Sequence, residues 1–179
     1  RIYKKTSNNL LVIGTVILVT IWIGILFLLE VMKNGSELEP FINCLFFLGI
    51  AKIFDLSTSV NHLIINYSKW YRYNLLFLLL VSALNIALNL ILIKDYGIVG
   101  VAFATMSSLL IFNTIKTLFI YQKLKIHPFN KRTLVIYAIL SVGLVSGTLL
   151  QSTHLFPSDV LNLLVYCGLS AGLFSLLFY

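Results

Sequence analysis

Between Ala51 and Asn66 the chain reads AKIFDLSTSVNHLIIN, inside an apolar run from Phe41 to Asn66. At about 100° per residue, Lys52, Asp55, Ser59, His62 and Asn66 project from a helix within an arc of roughly 80°. On such a stripe an ammonium can anchor an anionic group, and a carboxylate or an imidazole can take up and release a proton. Together they would line an aqueous cavity. A structural role uses the same residues: Lys52 and Asp55, three apart, neutralise each other, and Ser59, His62 and Asn66 hydrogen-bond to neighbouring helices. An ionisable group at mid-bilayer costs about 3 to more than 10 kcal/mol if it faces lipid, so the stripe must face protein, water or a ligand.

Polar side chains recur in two further apolar segments. Ser82, Asn85 and Asn89 share one helical face, which must meet another helix or the cavity. Lys116, with Asn113 one turn earlier, is expected to snorkel to the membrane interface; the alternative is a phosphate contact at the cytoplasmic mouth. Gly100, Ala104 and Ser108, spaced by four, form a small-residue ridge that admits a neighbouring helix closely. Gly97, after Asp95 and Tyr96, is suited to a turn at positive φ. No GxxxxGK[ST], HExxH, CxxC or GxSxG motif occurs. His62, His127 and His154 are scattered, and Cys44 and Cys167 lie in apolar segments, so no metal cluster and no disulfide is expected.

The elements that hold these residues follow from composition. The 179 residues are 59% hydrophobic and only 11% charged, against about 25% charged in soluble domains. The apolar blocks lack the period-two alternation of a membrane barrel. The expected fold is therefore all-α, a polytopic transmembrane bundle of six spans at about 9–32, 41–66, 74–93, 98–121, 133–150 and 160–179. All connectors are too short for a soluble domain. Arg1, Lys4, Lys5, Lys69, Arg72, Lys123, Lys125, Lys131 and Arg132 fall on one side, whereas Lys33 and Lys94 fall on the other. The first side, with the N-terminal end, is expected to be cytoplasmic. The same distribution makes the charge of +7 a topological signal rather than a nucleic-acid footprint. The chain starts on Arg1 and stops on Tyr179 within an apolar run, as a piece of a larger protein would.

The segment NIALNLILIKDYGIVGVAFAT, Asn85 to Thr105, resembles the C-terminal signature of bacterial polysaccharide flippases of the O-antigen type. These belong to the multidrug/oligosaccharidyl-lipid/polysaccharide exporter superfamily, in which an Asn-rich span precedes a short turn and a "yGixGaAxAt" segment. Ile50 to Tyr73 is also similar to members of this group. The chain departs from the pattern at Lys94-Asp95, where many members have proline, and at Val101, where alanine is common. The resemblance implies the C-terminal part of a MATE-like flippase of twelve to fourteen spans, lacking an N-terminal lobe. It further implies alternating-access export of an oligosaccharide carried on undecaprenyl pyrophosphate across the bacterial inner membrane.

On that implication Lys52 is the first candidate for the head group, and Asn66, His62 and Ser59 for sugar hydroxyls. Asp55 is a coupling site for a proton or sodium ion, or the residue that holds Lys52 in place. Asn85, Asn89 and Lys116 complete the candidate cavity. No other cofactor is expected, and the partners are the bilayer, the lipid-linked glycan and the absent lobe. Two rival readings keep most of these residues: an ion-coupled multidrug exporter with Asp55 as its cation site, and a membrane-embedded enzyme of polysaccharide assembly using His62 with Asp55. The short connectors argue against an enzyme.

Overall fold

Long apolar runs without internal proline favour continuous helices, because every backbone polar group is then bonded within its own segment. The computed structural model describes residues 2–31, 39–151 and Gly172, and these are helical except for short connectors, with no strand among them. The helices are α1 (Ile2–Val31), α2 (Glu39–Thr58), α3 (Val60–Asn66), α4 (Tyr71–Leu124) and α5 (Lys131–Gln151). Among the described residues three segments are long and apolar enough to cross a membrane: Ile2–Ile25, Pro40–Thr58 and Tyr71–Leu124.

The third of these is 54 residues long, far beyond the roughly 20 that a bilayer requires. It doubles back at Gly97, whose φ of 56° and ψ of −137° are non-helical and open in practice only to glycine. Two arms result, residues 71–96 and 98–124. Their antiparallel packing brings the rings of Phe77 and Phe119 to 5.3 Å. Beside the turn, Gly100 lies so close to the Leu92 carbonyl that a Cβ would strike it. The expected turn residue is therefore in place, although Lys94, Asp95 and Tyr96 still belong to the helix. The spans expected at 74–93 and 98–121 correspond to these arms. Apart from Gly172, the segment 160–179 with Cys167 lies outside the described residues, as do the residues around Glu37 and Asp159.

The expected span 41–66 is broken at Ser59. Ser57 Oγ and Thr58 Oγ1 both donate to the Phe54 carbonyl, at 2.7 and 3.0 Å, and Ser59 N bonds to the Leu56 carbonyl, three residues back. Hydroxyls that back-bond in this way compete with the helical ladder and tighten it. The chain path continues into α3, so α2 and α3 act as one slightly bent rod.

Two apolar clusters hold the bundle. Leu11, Val12, Leu18, Val19 and Ile23 of α1 meet Ile53 of α2 and Ile136 and Leu140 of α5. Glycines on the partner helices seat the α1 knobs: Gly49 faces Leu18, Gly143 faces Val19, and Gly147 faces Ile23 and Trp22. Small residues supply such close approach between helices that share no hydrophobic driving force in lipid. The second cluster joins Ile65 of α3 to Phe77 and Ile120 of the two α4 arms. Cys44 is buried as a free thiol. Leu75, Leu76, Leu78, Leu79, Leu80, Ile86 and Leu90 on the first α4 arm are each at least half exposed, a surface for lipid or further protein rather than water.

Candidate functional site

The rod formed by α2 and α3 carries polar residues on two opposite faces. Asn61 and Ser57, about 160° from the centre of the predicted stripe at 100° per residue, point into the bundle and are 0% and 2% exposed. Tyr3 on α1 donates to Asn61 Oδ1, and Asn61 Nδ2 donates to Thr117 Oγ1 on α4 at 2.8 Å. Ser7 donates to the Ser57 carbonyl, while the Tyr137 hydroxyl of α5 donates to Ser57 Oγ at 3.0 Å. This seam ties four helices together. It escaped the sequence reading, although matched pairs four apart, Tyr3/Ser7, Ser57/Asn61 and Asn113/Thr117, were its visible signal.

The predicted stripe occupies the other face. Lys52, His62 and Asn66 are exposed and Asp55 and Ser59 half-buried. Lys52 stands thirteen residues from the start of α2 and fourteen from the end of α3, so roughly 20 Å from either end at 1.5 Å per residue. Its Nζ lies 3.1 Å from Asp55 Oδ2, with the two side chains 67% and 32% exposed. The second carboxylate oxygen, Oδ1, accepts from Asn113 Nδ2 on the second α4 arm at 3.2 Å. Asp55 thus bridges an exposed ammonium and an amide that is only 1% exposed.

Lys116 departs from the snorkelling expectation. The helix runs on to Leu124, which leaves Lys116 eight residues, roughly 12 Å, from its end. Its side chain is buried, with Nζ 4.2 Å from the Phe112 ring centroid. An additional anion placed against this face would meet the largely exposed Lys52 ammonium.

Around this centre, Ser59 Oγ is buried with no hydrogen-bond partner among the described residues. His62 donates from Nδ1 to the Ser59 carbonyl, which leaves Nε2 of the neutral ring as an acceptor. Asn66 Oδ1 accepts from Asn74 Nδ2 at 2.8 Å. Asn85 and Asn89 are not brought to the stripe. They lie on the first α4 arm, where Asn89 Nδ2 donates to Asn85 Oδ1, and only the second arm supplies the Asp55 contact. Ser82 is likewise turned away and bonds to the Leu78 carbonyl.

The ends of the rod are also defined. Lys69 and Lys123 both stand over the Trp70 ring, 5.1 and 4.9 Å from its centroid, while Tyr3 meets Asn61 and Asn8 meets Asn130. These contacts gather Lys4, Lys5, Lys69, Arg72, Lys123, Lys125, Lys131 and Arg132 at one end of the bundle. Aromatic and basic residues together are the composition of a membrane interface. Comparison with family models, with curated proteins and with solved structures gives no match.

Proposed function

We propose that this chain is one lobe of a membrane exporter that moves a lipid-linked, anionic glycan from the cytoplasmic to the outer leaflet of a bacterial inner membrane by alternating access. The observation that carries the reading is the outward polar face at mid-depth, Lys52, Asp55, Ser59, His62 and Asn66, set opposite a separate buried seam. The seam supplies the inter-helix hydrogen bonds to α1 and α5, and from the outward face only Asp55 and Asn66 bond to α4, so packing leaves Lys52 and His62 unused. A second lobe closing over it would enclose a wet path, while the cargo's lipid tail stays in the bilayer.

Lys52 contacts the pyrophosphate, and its exposure leaves it able to swing from Asp55 to the cargo. Lys116, held behind it, adds to the positive potential. His62 Nε2 and Asn66, both exposed, bond to sugar hydroxyls, whereas the Ser59 hydroxyl is buried behind them. Asp55 positions Lys52 and is the coupling residue if a proton or sodium ion drives the cycle. The exposed Lys52 ammonium on the same face as Asp55 disfavours a cationic drug as cargo. The basic end, with the N-terminal residues of the chain, faces the cytoplasm.

The test uses the full-length protein in a cell lacking the native copy, with surface glycan and membrane abundance scored together. Lys52→Ala is expected to retain abundance and lose export at least tenfold, with no recovery in Lys52→Ala/Asp55→Ala. Recovery of both abundance and export in the double variant would reduce the pair to a structural bridge and sink the assignment.

A further inference from the structure

A pocket of about 310 Å³ opens between the start of α1 and the start of α5, lined by Lys4, Lys5, Asn8, Asn9, Asn130 and Arg132. Three of these residues are cationic, three are amides, and none is acidic. The floor is fixed by its own bonds. Asn8, 5% exposed, donates from Nδ2 to Asn130 Oδ1 at 3.3 Å, and its Oδ1 accepts from the Thr133 hydroxyl at 2.8 Å. Asn130 also caps α5, accepting from Thr133 N at 2.8 Å, while Thr133 Oγ1 accepts from Asn130 N at 3.1 Å. The reciprocal cap orders the first turn of α5, and that turn contributes the positive end of a helix dipole.

Cations of both types, amide donors and a helix start suit a tetrahedral oxyanion better than a planar carboxylate or a sugar. Arg132 offers a planar fork and the lysines offer point charges. The pocket is at the same end as Trp70, Tyr71 and Tyr73, the depth at which lipid phosphates lie. Basic pockets between helix ends at this level take anionic head groups.

We propose that this pocket binds a phosphate ester, and that an anionic phospholipid at the basic face of the membrane supplies it, with free phosphate as the other source of the same chemistry. The site is separate from the stripe, since Lys52 lies midway along its rod. The inference stands whether or not the export reading does, because it requires only that the bundle sit in a bilayer.

The test places the full-length protein in phosphatidylcholine nanodiscs with phosphatidylglycerol as a minor component and counts retained phosphatidylglycerol by native mass spectrometry. Three cations that converge on one head group hold the same lipid, whereas scattered basic residues act on it only through the diffuse surface field, so Lys4→Gln/Lys5→Gln/Arg132→Gln should reduce retention at least tenfold. The control, Lys69→Gln/Arg72→Gln/Lys123→Gln, removes equal charge from the same end outside the pocket and should change retention less than threefold. Asn9→Asp keeps every cation and the buried Asn8–Asn130–Thr133 bonds, and should also weaken retention severalfold. Thermal midpoints report folding of each variant. In phosphatidylcholine alone, inorganic phosphate binding that the triple variant loses would identify soluble phosphate as the source and uphold the pocket. Equal lipid loss in pocket and control variants would mean only a diffuse basic field and overturn it. So would native binding of both lipid and phosphate by Asn9→Asp and the triple variant.

Discussion

If Asp55 is anchored from behind by Asn113 and merely accompanied in front by Lys52, the two partners must differ in what they contribute to folding. The Lys52–Asp55 pair is an i,i+3 contact whose ammonium side is largely exposed. Such pairs contribute about 0.2–0.5 kcal/mol after screening and side-chain ordering. The Asp55–Asn113 bond crosses between helices to an amide that is 1% exposed. Inter-helix hydrogen bonds in membranes average about 0.6 and reach about 1.7 kcal/mol; stranding a buried amide adds a desolvation cost of about 1–3 kcal/mol. Lys52→Ala should therefore cost less than about 0.5 kcal/mol. Asn113→Ala should cost about 1–2 kcal/mol, and the Asp55→Ala/Asn113→Ala cycle should return a coupling of about 0.6–1.7 kcal/mol. Asp55→Ala alone should be the worst of the three, because it removes the partner of both Lys52 and the buried Asn113 amide. The assay is reversible unfolding of the full-length protein from mixed micelles with increasing denaturing detergent, followed by tryptophan fluorescence. A Lys52→Ala cost equal to that of Asn113→Ala, or a larger coupling for Lys52 with Asp55 than for Asn113 with Asp55, would refute the reasoning. Lys52 would then be a structural residue with no freedom to leave its partner.

Two further outcomes follow from the same geometry. A Cβ added at Gly97 meets nothing within 4 Å, so Gly97→Ala isolates the backbone cost of its positive φ, about 1–3 kcal/mol, whereas at Gly100 the Cβ meets the Leu92 carbonyl and the Tyr96 Cβ. Gly100→Ala should therefore lower the unfolding midpoint and membrane abundance more than Gly97→Ala; equal effects would mean that the arms can part at Gly100 without penalty. Asn61→Ala removes two inter-helix bonds, for about 1–3 kcal/mol, and its export should fall only in proportion to its abundance. Export lost at full abundance would place Asn61 in the transport path.

Much of this arrangement was legible in the sequence. The apolar blocks and their breaks located the helices, and Tyr96-Gly97 marked the reversal because only glycine takes that conformation cheaply. The common face of the stripe follows from helical spacing alone, since residues that project together from a rod stay together. What escaped depended on neighbours. The break at Ser59 comes from two hydroxyls choosing the same carbonyl, a contest decided by local dihedrals. Lys116 was expected at an interface because its helix was ended at Tyr121; three more residues of helix and the Phe112 ring hold it in the interior. Asn85 and Asn89 looked like cavity residues because they share a face, yet that face belongs to the arm remote from Asp55.

The overlooked seam also explains why the stripe points outward at all. In lipid both faces of an apolar rod are nearly equivalent, so hydrophobicity does little to fix its rotation about its axis. Polar contacts at defined angles do. Tyr3 of α1 and Thr117 of α4 grip Asn61, and Ser7 of α1 and Tyr137 of α5 grip Ser57. With that face locked inward, the opposite arc with Lys52 and His62 has no choice but to face away from α1 and α5. The mid-depth charges are thus held outward by neutral bonds on the far side of the same rod. A rotation that relieved Lys52 of its exposure would have to strand Asn61, which is why the orientation of the candidate site is a property of residues that never touch it.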